Sequence, residues 1–270
     1  MSAAGSSKGS RIGFRTAGFA SWPIKRALRA LSDIGYGSVE LCLEHPETHP
    51  GDMNPPRCRE IAALLGDLGL RLSSVSYHGD GRPAQERAES SLSAVEAAER
   101  LKCPVLVLNT MRREPGREAE QVEEAIALAQ RLLQHSRREV TLAFEPEPGL
   151  VIAGTADMLE FMERGGSPRV RVNLDIGHAH ITEPSVVGAI ETLGCAIVHT
   201  HIEDIAGKVH KHLVMGEGEL DFAAVRRALE GAGYRGDYTA DLFDLGDDPQ
   251  HTAQRCFDGM LQVWHSRPRL

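Results

Sequence analysis

Residues 198–222 read VHTHIEDIAGKVHKHLVMGEGELDF, a stretch that gathers four histidines and a run of acidic residues ahead of a helix start. Its opening VHTHIE alternates as a strand does, placing His199, His201 and Glu203 on one face and Thr200 and Ile202 on the other. A polar stripe of this kind is costly to bury without partners. It therefore marks either a metal or catalytic centre at a strand's end, or histidines satisfied by neighbouring backbone and water. A lone histidine favours the second reading. Here the first gains ground because three other strand-like segments also end in a carboxylate.

Those segments belong to a series. IGFRTA (12–17), SVELCLE (38–44), LRLSSVSYH (70–78), PVLVLNT (104–110), VTLAFEPEPG (140–149), VRVNLDIGHAH (170–180), the histidine stretch itself and YTADLF (238–243) recur at roughly 30-residue spacing with amphipathic segments between them, which is the βα unit of a parallel barrel. The first helix is expected to open at Ser21, whose hydroxyl can cap it, with Pro23 in the first turn and Gly35 at its end. Others are expected over about 56–67, 84–101 and 118–135, and from near Asp248 and Pro249 onward. In the second strand Glu40, Cys42 and Glu44 oppose Val39, Leu41 and Leu43, so Glu40 should be buried inside the barrel and hydrogen-bonded to adjacent strands. No linker interrupts the series. The reading is one (β/α)8 TIM barrel over residues 11–270, preceded by a small, polar, disordered tail at 1–10.

Composition bounds the function. Thirty-eight acidic against 30 basic residues give a net charge of −8, so no global field draws nucleic acid or an anionic membrane. Five cysteines without CxxC spacing suit reduced thiols in the cytoplasm and exclude a zinc ribbon. The N-terminal MSAAGSSKGSR leads into no apolar core of a signal peptide, and no apolar run is long enough to span a bilayer. Homo-oligomerisation is left open.

In a (β/α)8 barrel the C-terminal strand ends converge on one pocket, which brings Glu145, Asp175, His201 and Asp241 together. Three carboxylates crowded without a cation repel one another, whereas a divalent ion lets all three stay ionised. The mixed oxygen and imidazole set suits Mn²⁺, Mg²⁺, Co²⁺ or Zn²⁺. His178, Glu147 and Glu203 are placed to orient those ligands by hydrogen bonds.

The strand ends LAFEPEPG, NLDIGHAH, HTHIEDI and MGEGELDF resemble the sugar phosphate isomerase/epimerase superfamily of xylose-isomerase-like barrels, which includes ketose 3-epimerases, hydroxypyruvate isomerases, inosose dehydratases and apurinic-site endonucleases. The resemblance covers the chain from about Ile12 to its end. It implies that Glu145, Asp175 and His201 are metal ligands, that His178 is the histidine following the aspartate, and that Asp241 occupies an eighth-strand position usually held by glutamate. Aspartate is one methylene shorter, which leaves proton transfer there open. The implied activity is metal-dependent isomerisation or epimerisation of a sugar or small hydroxy-ketone through an enediolate. Glu145 and Asp241 would exchange the proton on opposite faces of the substrate while His178 bonds a substrate oxygen. No glycine-rich phosphate loop accompanies these motifs. Arg15 and Lys208 are candidate anion contacts, with a solvated surface role expected for each.

Two alternatives accompany this reading. His210 and His212, with His78, stand where the apurinic-site endonucleases bind extra zinc ions, so a multi-metal hydrolase is the runner-up; the acidic balance and Asn109, in place of a fourth-strand histidine, oppose DNA cleavage. The third is a sugar-binding barrel without catalysis.

Overall fold

The computed structural model describes residues 10–264. Eight parallel strands close on themselves in sequence order: β1 (Ile12–Arg15), β2 (Ser38–Cys42), β3 (Arg71–Ser76), β4 (Val105–Leu108), β5 (Thr141–Phe144), β6 (Val170–Asp175), β7 (Ile197–Ile202) and β8 (Tyr238–Ala240). β8 closes the barrel by pairing with β1 through Ile12, Gly13 and Phe14. The helices are α1 (Ile24–Ile34), α2 (Pro55–Leu68), α3 (Ala84–Leu101), α4 (Glu118–His135), α5 (Thr155–Gly165), α6 (Ile176–Thr182), α7 (Val186–Leu193), α8 (Phe222–Gly231) and α9 (Pro249–Trp264). The fold is thus the (β/α)8 barrel of the sequence reading. The expected tail lies outside the described residues except for Ser10. No helix among the described residues is long and apolar enough to cross a membrane.

Two apolar surfaces hold the barrel. The outward residues of the strands, such as Val39, Leu41 and Phe144, meet the inner stripes of the helices, among them Leu28, Leu31, Val95, Ala98, Leu132 and Phe161, all buried. Phe144 and Phe161 meet edge to face at 4.8 Å, fixing α5 against β5. The interior, by contrast, is polar: Glu40, Ser74, Asn173, His199 and His201 fill it with almost no exposure. Such a core is stable only when its polar atoms pair with one another.

Local chemistry sets the helix entries. Ser21 does not cap α1; Pro23 takes that position, and the Ile24 N–H instead donates to a Glu47 carboxylate oxygen at 3.0 Å. α2 is capped by Asn54, which accepts from the Arg57 N–H at 3.0 Å. α3 and α4 start and stop where the periodicity places them. α6 is a single short helix inserted directly after β6, before α7 covers the barrel.

The β7–α8 connection is tied down at both ends by one residue. Asp204 exchanges backbone hydrogen bonds with Leu213 at 2.9 and 2.8 Å. Its carboxylate accepts from the N–H groups of Gly216, Gly218 and Leu220 at 2.9 to 3.1 Å. A side chain at Gly218 would overlap both the Asp204 carboxylate and the Ile205 carbonyl, so only glycine allows the close approach.

Candidate active site

Four side chains converge at the C-terminal mouth because each sits within one residue of a strand end. The Glu145 N–H still donates to the Leu108 carbonyl at 2.8 Å and the Asp241 N–H to Ile202 at 3.1 Å, so both side chains are aimed by the sheet and not by free loops. Asp175 ends β6 and caps α6, one oxygen accepting from the His178 N–H at 2.7 Å. Gly177 is required here: a Cβ would overlap the Glu203 carboxylate, which accepts the Gly177 N–H at 2.6 Å. His201 lies inside β7 with no exposed surface.

His201 Nδ1 faces all three carboxylates: Glu145 Oε2 at 3.3 Å, Asp241 Oδ2 at 3.4 Å and Asp175 Oδ2 at 4.0 Å. Its Nε2 lies 3.1 Å from both oxygens of Glu40 on the other side. Asn173 Nδ2 donates to Glu145 Oε2 at 2.8 Å and lies 3.1 Å from His201 Nδ1. Ligand atoms gathered around one ion at about 2.1 Å are about 3 to 3.5 Å from each other; here those of Asp175, His201 and Asp241 lie within 4.8 Å of one another, as do those of Glu145, Asp175 and His178.

The electrostatics of the cluster also suit a cation. Burial, then the neighbouring Glu203 and Glu145, push the Asp175 carboxyl well above its ordinary range, and its Oδ2 is buried without a hydrogen-bond partner. Burial raises Glu203 to about 8. For Glu145, burial acts upward, but His201 and then His78 hold it well below the usual range. For His201 burial acts downward, yet Glu40, Glu145 and Asp241 raise it well above the ordinary imidazole value. The anions that draw a proton onto Nδ1 can hold a divalent ion in the same gap, and that ion would also engage the orphaned Asp175 oxygen. The residues present fit such an ion.

The remaining sequence candidates fall into two groups. His178 belongs to the cluster: Nδ1 is 3.3 Å from Glu145 Oε1, and Nε2 is 3.7 Å from Asp175 Oδ2 and 2.8 Å from His210 Nε2. Ligand atoms of His178, His210 and His212 all lie within 4.8 Å of one another. His212 is anchored through Nδ1 to the Asp241 carbonyl at 2.7 Å, its ring lies tilted by 37° against Phe243 with centroids 4.0 Å apart, and its Nε2 has no hydrogen-bond partner. His78 brings an unpaired Nε2 to 3.5 Å from Glu145 Oε2.

Asn109, Glu147 and Lys208 lie outside the ligand cluster, Asn109 buried, Glu147 half-buried and Lys208 exposed. Asn109 donates to Asp80 at 3.2 Å and Glu147 at 3.0 Å, and its own oxygen accepts from Arg87 at 2.6 Å. The Lys208 ammonium is exposed and donates to the His180 carbonyl. Arg15 is the correction. Expected at a solvated surface, it is 4% exposed inside the barrel, with Nη1 3.2 and 3.0 Å from the two Asp241 oxygens and Nε 3.0 Å from Glu40. The alternation of IGFR carries the signal, since it puts Gly13 and Arg15 on the face opposite Ile12 and Phe14. Asn173, on the Asp175 face of β6 by the same alternation, is the other residue the strand pattern points into the cluster.

Residues 28–257 match the family described as the xylose isomerase-like TIM barrel. The chain belongs to this family. Among its relatives, fructoselysine 3-epimerase of Shigella flexneri is 22% identical over 253 residues, spanning 87% of this chain and 91% of that protein. D-psicose 3-epimerase of Enterocloster bolteae is 24% identical over 207 residues, 75% of this chain and 58% of the other. A solved D-tagatose 3-epimerase-like protein superposes with a TM-score of 0.81 at 18% identity, covering 94% and 97% of the two chains. A probable 3-DHS dehydratase from Bacillus anthracis superposes with a TM-score of 0.75 at 16% identity, covering 95% and 99%. These structural likenesses speak to the fold.

Proposed function

We propose that the protein is a divalent-metal-dependent isomerase or epimerase acting on a sugar or small hydroxy-ketone. The observation that carries this reading is the convergence of Glu145, Asp175 and Asp241 on His201 Nδ1 inside a xylose isomerase-like barrel. The epimerases among the relatives support the substrate class. Glu145, Asp175, His201 and Asp241 would hold the ion, with Mn²⁺, Mg²⁺, Co²⁺ and Zn²⁺ all compatible with the donor set. Such an ion, when bound, supplies Lewis-acid polarisation of a substrate carbonyl.

The chain's own residues supply the proton chemistry. Glu145 is the base: its Oε2 is held by Asn173 at 2.8 Å and its Oε1 faces the mouth beside His178. It takes the proton from the carbon next to the carbonyl, and the electron pair of that bond passes to the carbonyl oxygen. His178 is kept largely neutral, because burial lowers it and the adjacent His212 and His210 rings add to that against the pull of Glu145. Its Nδ1 faces only acceptors, the Pro146 carbonyl and Glu145 Oε1, both at 3.3 Å, so the single N–H lies there and Nε2 would accept a hydrogen bond from a substrate hydroxyl. In an epimerisation a protonated Asp241, brought in from across the barrel, would give its own proton to the other face, and Glu145 would then release the proton it took to solvent while Asp241 regains one.

The test is solvent-deuterium exchange at the α carbon over a panel of ketoses including psicose, ribulose and fructoselysine, with Mn²⁺ and with EDTA. Exchange that requires metal is the expected result. A protein that carries stoichiometric metal yet exchanges none of these ketoses overturns the reading. A second reading, a hydrolase with two or three metals, is favoured by the proximity of His178, His210 and His212 and the unpaired His78 Nε2. It predicts two or more metal atoms per chain and hydrolysis of a phosphodiester, where the isomerase predicts one and none. A sugar-binding barrel without catalysis predicts purification without metal.

A further inference from the structure

Two buried charged groups that the proposed chemistry leaves unused lie beneath the ligand cluster. Arg15 ends β1, the strand between β2 and β8, and its guanidinium spans both neighbours: Nε reaches Glu40 Oε1 at 3.0 Å and Nη1 reaches the Asp241 oxygens at 3.2 and 3.0 Å. Glu40, fully buried on β2, carries the connection onward. It lies 3.1 Å from His201 Nε2 and 2.9 Å from His199 Nε2, and it accepts from the Ser74 hydroxyl at 2.6 Å.

We propose that Arg15 is a positioning residue for the metal centre, fixing Asp241 directly and His201 through Glu40. The inference rests on the reading that Glu145, Asp175, His201 and Asp241 hold the ion. A buried ion network adds little to stability compared with well-packed apolar residues of the same volume, so its place beneath two of four ligands points to orientation. The hydrogen-bond directions agree. Glu40 takes the hydrogen on His201 Nε2, which leaves the Nδ1 lone pair on the side of the carboxylates, where the Asn173 amide also lies at 3.1 Å. The guanidinium is a planar fork whose separate N–H groups grip carboxylates arriving from two different strands, a task that the point charge of lysine cannot perform.

The full-length chain is stripped with EDTA, and wild type, Arg15→Lys, Glu40→Gln and the double variant are titrated with MnCl₂ by calorimetry. The visible spectrum of the Co²⁺-loaded protein is recorded for each. Loss of a partner that orients a ligand weakens metal binding by about 10- to 100-fold, so each single variant should bind Mn²⁺ that much more weakly and shift the Co²⁺ bands. The double variant should be no worse than the weaker single one by more than about threefold, because the two residues act along one line of contacts. Arg15→Lys keeps the buried positive charge and Glu40→Gln keeps volume; if the lysine variant fails to fold, the glutamine variant carries the test alone. Wild-type binding with variants within twofold of it, or tighter, and an unchanged Co²⁺ spectrum overturns the assignment of Arg15 while leaving the metal reading intact. A wild type that binds neither Mn²⁺ nor Co²⁺ overturns both.

Discussion

Asp175→Asn separates ligation from folding because the two oxygens of Asp175 do different things. One accepts the His178 N–H at 2.7 Å and caps α6; the other is buried with no partner. Asparagine keeps the capping oxygen, and aspartate and asparagine are about equal as caps. In the metal-free protein burial and the neighbouring carboxylates already favour the neutral acid, so an uncharged amide should leave the apo melting temperature unchanged or slightly raised. The metal-dependent part should behave otherwise. At Mn²⁺ about 1,000 times the wild-type Kd, binding adds about 4 kcal/mol to stability. If losing this ligand weakens binding about 100-fold, the upper end of the range for partners one shell further out, the same Mn²⁺ concentration is only about ten times the variant's Kd. The gain then falls to about 1.4 kcal/mol. The difference of about 2.7 kcal/mol corresponds to about 5 to 11 °C for a chain of this size. Differential scanning fluorimetry with EDTA and with Mn²⁺ reads both quantities. A variant that gains the full Mn²⁺ shift, or whose apo protein melts more than about 5 °C lower than wild type, would refute the reasoning and leave Asp175 as a structural cap alone.

Three further outcomes are expected. Glu145→Gln should lower metal-dependent deuterium exchange by at least about 10²-fold, within or beyond the range typical of a lost general base, with an unchanged circular dichroism spectrum; exchange at the wild-type rate would remove Glu145 as the base. The EDTA-treated protein should melt at lower temperature at pH 8.5 than at pH 7. The folded state holds a proton on Glu203 up to about pH 8 that the unfolded chain sheds near 4.5, and His201, raised above its ordinary value, contributes stability that is lost as pH climbs through its folded pKa. His178 and His212, lowered by burial, act only below about pH 6.5. An apo melting temperature that rises over this interval would contradict the sign. Gly177→Ala should lose about 1 to 3 kcal/mol, as overpacked sites do, because the added methyl meets the Glu203 carboxylate and Ile205; equal chemical denaturation midpoints would show that α6 shifts freely.

How much could be read in advance depended on the range of the interactions. Alternation and capping are local, so the eight strands, the bounds of α3 and α4 and the inward aim of Glu40 followed from neighbouring residues. The convergence of Glu145, Asp175, His201 and Asp241 followed from one further rule, that strand ends of a barrel share a mouth. Arg15 did not, because an arginine on a short strand is ordinarily solvated, and only the joint arrival of Glu40 and Asp241 from two other strands makes its burial tolerable. Ser21 was mistaken for a cap because Glu47, 23 residues beyond the helix start, takes that N–H from another loop. Asn109 stands in line with the other strand ends, yet its amide turns to Asp80 and Glu147 outside the ligand cluster, a choice made by side chains that no periodicity places.

The tether at Asp204 has a consequence for how this barrel can change. Because one aspartate holds both the backbone at Leu213 and the turn at Gly216, Gly218 and Leu220, residues 205–212 form an excursion whose two feet are fixed to the same point of the frame. The exposed residues of that excursion, 206 to 211, can be exchanged without unpairing a single strand, whereas Ile205 and His212 at its feet are buried. The exposed part of the segment, His210 included, can therefore change while His212 stays anchored to the Asp241 carbonyl and the cluster at Glu145, Asp175, His201 and Asp241 stays where the strands hold it.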